Sequence, residues 1–225
     1  NRHERTYSEI IKRNENVESG ISAVPKIYRS PFIKYYEILS LNIMENTRVL
    51  EIGCGTGIHS NILCNLSSNV TVLDVSASSL ELCKINTKNK VKVLLGSMDN
   101  VPCLDDSFDV VVSYGSLSYA NLNKLEKEIE RVLIPGGHFI YLDSLNHNPI
   151  YFLNRVLHFI LRQRTLLTVL RIPTIGSLKE FGNKFSNSEI YFFDSFLWLR
   201  MLFTKLGIRN SSLIKRLETI HAFDF

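Results

Sequence analysis

Alternating glycines after a short apolar run are the feature of this sequence best suited to bind a small ligand. Residues 49–52 are typical of a buried strand, and Gly53, Gly55 and Gly57 follow at once. Glycine has no Cβ, so alternate glycines form a tight turn whose backbone a ligand or a helix can approach closely. The segment therefore predicts a ligand-binding loop between a strand and the helix that follows it.

Two common ligand classes do not fit this loop. A dinucleotide fingerprint requires G-x-G-x-x-G, and the position three residues after Gly55 is Ile58. A phosphate-binding P-loop requires a lysine followed by serine or threonine after its last glycine, and no lysine follows Gly57.

The segment from Glu51 to Gly57 resembles motif I of the class I, Rossmann-like S-adenosylmethionine-dependent methyltransferases, which runs E/D-x-G-x-G-x-G. The resemblance is to the group that acts on small molecules and saccharides. It implies S-adenosyl-L-methionine as the cofactor. The loop residues that it implies as cofactor contacts are Glu51, Gly53, Cys54, Gly55 and Gly57.

Residues 70–76 look like the second strand of this family and end in an acidic residue. The resemblance implies that Asp74, with Val75 beside it, binds the cofactor and that the Asp74 carboxylate accepts hydrogen bonds from both ribose hydroxyls. A carboxylate suits this role because it only accepts hydrogen bonds and can accept two at once. A plain helix cap is the alternative for Asp74, and the two roles are compatible.

Residues 96–102 resemble the adenine-binding turn of the family, with one departure. Where the family often has an acidic residue, this sequence has Ser97, so either Ser97 or Asp99 binds the adenine amino group or water does. The Met98 backbone N–H is expected at a ring nitrogen. The fourth strand adds Ser113 to the expected cofactor contacts, and residues 128–137 look like the E-x-x-R-V-L-x-P-G-G signature before the fifth strand.

Methyl transfer needs alignment, a dry pocket and, for a hydroxyl acceptor, a proton acceptor. His147 follows the fifth predicted strand and is the expected base, because histidine can take a proton near neutral pH. Tyr119 occupies a place where related enzymes often carry a polar group facing the substrate. His59 is expected to touch the cofactor or cap its helix. No metal site is predicted, since the cysteines and histidines lack zinc-ligand spacing.

Five apolar runs separated by helical stretches predict an α/β, doubly wound, mostly parallel sheet, and the resemblance implies seven strands. The runs are residues 49–52, 70–73, 91–95, 110–112 and 139–142. Helices are predicted at 60–66, 78–86 and 123–133, an amphipathic helix or pair of helices at 151–171, a helix from Thr174 and a late strand at 189–194. The predicted domains are a helical cap (1–45), a cofactor-binding core (46–145) and a helical insertion with late strands (146–225).

Composition indicates a globular protein of 225 residues with a formal net charge of +4. Residues 146–216 hold 11 lysines and arginines against three acidic residues. This balance favours an acidic acceptor, such as a phosphorylated or lipid-linked saccharide, or a membrane surface contacted by residues 151–171. A solvated helix face explains the same arginines. No nucleic acid partner is expected, and the localisation expected is cytoplasmic, including the inner face of the membrane.

The function expected from these features is O-methylation of a small molecule or saccharide, of the kind found in cell-surface polysaccharide or lipopolysaccharide biosynthesis. A similarity of about 30 residues around 148–174 supports that acceptor class. The alternatives are a carbon or amine methyltransferase acting on a quinone precursor or amino sugar, and an inactive cofactor-binding scaffold.

Overall fold

The computed structural model describes residues 29–146, 149–161, 166–193 and 223–224. The chain divides into two compact units, residues 1–143 and 144–225. The predicted domain boundaries after residues 45 and 145 remain predictions. No helix of the described ranges is both long and apolar enough to cross a membrane.

The first unit is built on a five-stranded parallel sheet in the order β3-β2-β1-β4-β5. Strands β1 and β4 lie at its centre and are almost entirely buried, as their runs of valine, leucine and isoleucine predict. The strands are β1 (Val49–Ile52), β2 (Val70–Asp74), β3 (Lys92–Leu95), β4 (Phe108–Tyr114) and β5 (Leu133–Leu142).

Four α-helices accompany this sheet in the described part of the first unit. They are α1 (Ser30–Asn42), α2 (Ser60–Leu63), α3 (Ala77–Asn86) and α4 (Leu122–Val132). Helices α3 and α4 begin at side-chain caps, where Ser76 and Asn121 accept hydrogen bonds from backbone N–H groups of the first turn. Helix α1 packs against β5 and buries Leu39 completely. It belongs to the predicted N-terminal cap, whose residues 1–28 lie outside the described ranges.

Pro135, Gly136 and Gly137, which the signature places before the fifth strand, lie inside β5, so this strand begins earlier than the predicted residue 139. Helix α4 ends at Val132 and β5 begins at the next residue. The register between β4 and β5 is irregular there, and Gly136 has a φ of +80°. These residues form an irregular stretch within a strand because a glycine with positive φ bends the backbone without ending the pairing.

The second unit contains α5 (Pro149–Ile160), α6 (Leu166–Leu170), α7 (Ile175–Gly182), β6 (Tyr191–Phe192) and β7 (Phe223–Asp224). For the predicted helix or pair of helices at 151–171, the structure describes two helices, α5 and α6. Helix α7 begins where predicted, with Thr174 and Ser177 forming a reciprocal capping box.

The α/β class is confirmed, but a single seven-stranded sheet is not. In the described part of the chain, five strands form the parallel sheet, and β6 and β7 form a separate antiparallel pair.

Candidate cofactor site

The glycine loop leaves β1 in a conformation that suits glycine. Gly53, Gly55 and Gly57 have φ values of +68°, +53° and +81°, a region that residues with a Cβ rarely adopt. Two of these glycines are also needed for packing: a Cβ on Gly53 would lie 2.6 Å from the Ser116 side chain, and one on Gly57 would lie 2.9 Å from the Cys83 Cα. A Cβ on Gly55 would meet nothing within 4 Å. Gly55 therefore presents the open face of the loop.

Asp74, at the end of β2, is tied to this loop. Its Oδ2 accepts a hydrogen bond from the Gly55 N–H at 2.9 Å, and its Oδ1 accepts one from the Ser76 N–H at 2.9 Å. Each carboxylate oxygen has two lone pairs, so both oxygens can still accept from hydroxyl groups. The next residue, Val75, is 72% exposed. The carboxylate thus shapes the glycine loop and stays capable of binding a ligand.

Glu51 is buried beneath the loop and holds two neighbouring side chains. It is 1% exposed, its Oε1 lies 2.8 Å from the Nδ1 of His59, and its Oε2 accepts a hydrogen bond from the Ser60 hydroxyl. His59 is 5% exposed, and its Nε2 has no hydrogen-bond partner among the described residues. Glu51 therefore anchors the start of α2 to β1, and its direct contact with the cofactor remains a prediction.

Aromatic rings pack around His59 where β1 and β4 end. The Tyr114 ring is stacked on the imidazole at a centroid distance of 4.9 Å, and the rings of Tyr35 and Tyr36 lie 5.4 and 6.0 Å away. Burial raises the pKa of all three tyrosines above the ordinary value of 10, and the Glu51 charge adds to this for Tyr35 and Tyr36. The three phenols therefore stay protonated at neutral pH, where they can donate hydrogen bonds.

His59 is expected from the sequence to touch the cofactor or cap its helix, and the structure gives its side chain no cap hydrogen bond at the start of α2. Its pairing with Glu51 and its tyrosine neighbours are the part of the site that the sequence analysis missed. The available signal was the buried Glu51, since a carboxylate at the end of an internal strand needs donors and the nearest candidates are His59 and Ser60. The tyrosines come from α1 and β4, and no local motif indicated that they would meet. Their contacts with His59 follow from the tertiary packing.

The turn after β3 holds the three residues predicted around the adenine. The Ser97 hydroxyl accepts a hydrogen bond from the Asp99 N–H at 3.1 Å, and the Asp99 Oδ1 accepts one from the Asn121 N–H at 2.9 Å. The Met98 Cε lies 3.2 Å from where a Gly53 Cβ would be. The turn therefore lies directly against the glycine loop.

The end of β4 is fixed to β1 by serines. The Ser113 and Ser116 hydroxyls lie 2.7 Å apart, and the Ser116 hydroxyl donates to the Ile52 carbonyl at 3.1 Å. Ser113 is fully buried, and its carbonyl accepts a hydrogen bond from the Tyr35 hydroxyl at 3.2 Å. Its predicted cofactor contact remains a prediction.

Of the two predicted catalytic residues, the structure describes Tyr119. It ends the short 3-10 helix Leu117–Tyr119 after β4, and its side chain is 54% exposed. The Asp143 carboxylate holds the start of that helix by accepting from the Leu117 N–H at 2.7 Å. His147 lies outside the described residues.

The structure brings together the cofactor residues that the sequence analysis predicted at the carboxyl edge of the sheet. Gly53, Gly55, Asp74 and Met98 are linked by the contacts above, and Val75 and Asp99 adjoin them in the chain. Cys54 is buried within the loop, with its sulfur 3.6 Å from the Gly55 carbonyl oxygen. Among the described residues, no group of three or more histidine, cysteine or acidic side chains is placed to hold a metal.

This donor set fits S-adenosylmethionine. A bare glycine backbone faces open space, a carboxylate with spare lone pairs lies beside it for hydroxyl groups, and an exposed valine follows. The set lies at the carboxyl ends of central parallel strands, where ligands of open α/β sheets bind.

Comparison with known proteins places this site in a family. Residues 50–141 match the family described as methyltransferase domain. The match runs from β1 to β5 and includes the glycine loop, Asp74 and the turn after β3. This part of the chain is thus a class I, Rossmann-like S-adenosylmethionine-dependent methyltransferase domain, and the prediction of that cofactor is confirmed.

Curated relatives are similar over the same region. Sterol 4-C-methyltransferase strm-1 of Caenorhabditis elegans is 32% identical over 114 residues, which cover 48% of this chain and 34% of that protein. Malonyl-[acyl-carrier protein] O-methyltransferase of Buchnera aphidicola is 35% identical over 111 residues, which cover 49% of this chain and 44% of that protein. The chain thus spans less than half the length of each of these two relatives.

A solved structure supports the fold over a longer part of the chain. The YcgJ protein of Bacillus subtilis superposes with a TM-score of 0.56 at 16% identity, covering 81% of this chain and 80% of that chain.

Proposed function

We propose that the protein transfers the methyl group of S-adenosylmethionine to a hydroxyl of a small molecule or saccharide. The observation that supports this most directly is the pairing of Asp74 with Gly55, which places a carboxylate beside the open glycine backbone. This arrangement supports cofactor binding, which an inactive cofactor-binding scaffold would share, so methyl transfer is tested by its own experiment below.

The chain's own residues would bind and orient the reactants. S-adenosylmethionine, when bound, supplies a methyl group on an activated sulfonium leaving group. Asp74 would hold the ribose hydroxyls, and the Gly55 backbone would allow close approach. Tyr114, the last residue of β4, and Tyr119, which follows that strand, are both exposed and can donate hydrogen bonds to the methyl acceptor. His147 is proposed as the base that takes the hydroxyl proton.

For the acceptor we favour a phosphorylated or lipid-linked saccharide. The support is chemical: residues 146–216 carry a strong excess of arginine and lysine, which suits acidic groups. The names of the two relatives include both a 4-C- and an O-methyltransferase. The shared core thus accommodates methylation at either kind of atom, and carbon methylation is the second candidate.

Cofactor binding is tested by calorimetric titration with S-adenosylhomocysteine. We expect micromolar binding by the native chain and a loss of about 10- to 100-fold in affinity for Asp74→Ala, since hydrogen bonds to a charged group contribute about 1.5–3 kcal/mol. Glu81→Ala is the matched control, because Glu81 is an exposed acid on α3 and its loss changes the charge equally. Absence of binding by the native chain would refute the proposed activity.

The acceptor is tested separately with methyl-labelled S-adenosylmethionine and a panel of phosphorylated and lipid-linked saccharides. Label on a saccharide oxygen, located by NMR, is the expected result. Label on a carbon or nitrogen atom would show that the protein methylates that kind of atom and not a hydroxyl. If the chain binds S-adenosylhomocysteine but transfers no methyl group to any saccharide, the proposed acceptor class is refuted and the proposed cofactor site is not.

A further inference from the structure

Helix α5 turns an apolar face to the solvent. Leu153, Leu157 and Ile160 are 65%, 51% and 66% exposed, and Phe152 and Phe159 are also exposed. Residues at i, i+4 and i+7 share one side of a helix, so the three aliphatic side chains form a continuous stripe. Every α5 side chain that the structure describes as exposed is apolar.

The cationic side chain of this helix lies on the inner side. Arg155 is 6% exposed, and its Nη2 donates to the Ser144 hydroxyl at 2.7 Å. A surface helix of a soluble domain ordinarily buries its apolar stripe and exposes its charges. Helix α5 has the opposite arrangement, and an exposed apolar patch of this kind marks an interaction surface.

The sequence around α5 carries more cations than anions. Residues 144–179 contain five arginines and lysines and no aspartate or glutamate. In the sequence, Arg162 and Arg164 follow α5 directly, and Arg171 follows α6, whose Leu166 and Leu170 are exposed as well. Apolar side chains flanked by arginines are typical of helices that lie in the interface of an anionic bilayer.

We propose that the exposed face of α5 docks on the surface of an anionic lipid bilayer. With 12 residues, α5 is shorter than the roughly 20 needed to span the hydrocarbon core, so it would lie in the interface. A second copy of the chain fits this face less well. A symmetric contact would bring two sets of cations together, with no acidic residue in 144–179 to pair with them.

The test is co-sedimentation of the full chain with vesicles of phosphatidylcholine alone or mixed with phosphatidylglycerol. We expect binding to the anionic vesicles that weakens with salt, and little binding to the neutral ones. Leu153→Ser with Leu157→Ser should lower binding about tenfold or more, because the aliphatic area that enters the interface is lost. Arg162→Gln with Arg164→Gln should lower binding about fivefold per arginine and flatten the salt dependence.

The matched control is Ile85→Ser with Leu104→Ser, two exposed apolar residues of the first unit, which should bind as the native chain does. Equal binding to both vesicle types, no binding to either, or no effect of the leucine substitutions would overturn the proposal. So would a dimer in sedimentation velocity that the leucine substitutions dissociate, since it would identify a second copy as the occupant. The measurement uses no S-adenosylmethionine, so its outcome is independent of the proposed activity.

Discussion

Two glycines of the binding loop have different tasks. Gly55 faces open space beside Asp74, whereas Gly57 lies against the backbone of α3 at Cys83. Both have a positive φ, so an alanine at either position is strained by about 1 kcal/mol. The difference between the two substitutions therefore reports what each Cβ meets.

We expect Gly55→Ala to keep a near-native melting temperature and to lose at least about tenfold in S-adenosylhomocysteine affinity, because its methyl group enters the ligand's space. Gly57→Ala should instead lower the free energy of unfolding by about 2 kcal/mol or more, since its Cβ meets backbone that cannot easily move. Thermal unfolding and calorimetry on both variants check this. Equal effects of the two on stability would contradict the assignment.

At the scale of elements, an acidic and a basic side chain of α4 fasten the connection from β3 to β4. Glu128 of α4 accepts hydrogen bonds from the Val101 N–H at 2.6 Å and from Arg131 at 2.8 Å. Arg131 also donates to the carbonyls of Val101 and Cys103, both at the connection from β3 to β4. These contacts hold that connection against α4. The E-x-x-R signature does not indicate that its two side chains bind the backbone of Val101 and Cys103.

The Arg131 guanidinium, followed by the Val101 N–H, holds the pKa of Glu128 below its ordinary value of 4.5. A carboxyl with a lowered folded-state pKa contributes stability above the unfolded-state pKa, and the contribution is lost as the pH falls through the folded-state pKa. Glu128→Gln should therefore cost about 1 kcal/mol near pH 7, and the gap to the native protein should close below about pH 4.5.

Urea unfolding between pH 3 and 7, approximately the range that brackets carboxyl titration, measures this gap. Glu130→Gln is the control, because Glu130 is exposed on the same helix and its loss changes the charge equally. A gap that stays constant down to the lowest pH would show that Glu128 acts through packing alone.

At the scale of the whole molecule, the residues predicted to bind the cofactor belong to the first compact unit, and the exposed apolar face of α5 belongs to the second. A ligand that binds only the folded state stabilises what it binds, by about 2.7 kcal/mol at 100 times its dissociation constant. We therefore expect S-adenosylhomocysteine to slow hydrogen exchange in residues 50–57 and 70–76 more than in residues 175–182.

Hydrogen exchange followed by mass spectrometry resolves these segments, and Asp74→Ala should show little change on adding the ligand. Protection that rises equally in both units would mean that they respond to the ligand as one body. That result would contradict the expectation of a local effect.

The glycine loop, Asp74 and the strands β1 to β5 were predicted from sequence because their signals are local. A buried parallel strand appears in the sequence as a short apolar run, and a ligand-binding loop appears as glycines directly after such a run. For the first two strands, all of these signals lie within residues 49–76. The Pro135–Gly137 stretch was misplaced because proline and glycine are typical of turns as well as of irregular strands.

Other features depend on residues far apart in the chain, and only the tertiary structure decided them. Tyr35 meets His59 and the end of β4 across more than 20 residues of separation, and Arg48 binds Asp109 across 61. The burial of the Arg155 side chain likewise depended on packing. Periodicity identifies the two faces of a helix but not which of them is buried. Local sequence patterns determined where the elements lie, whereas the free energy of burial decided which side chains face each other.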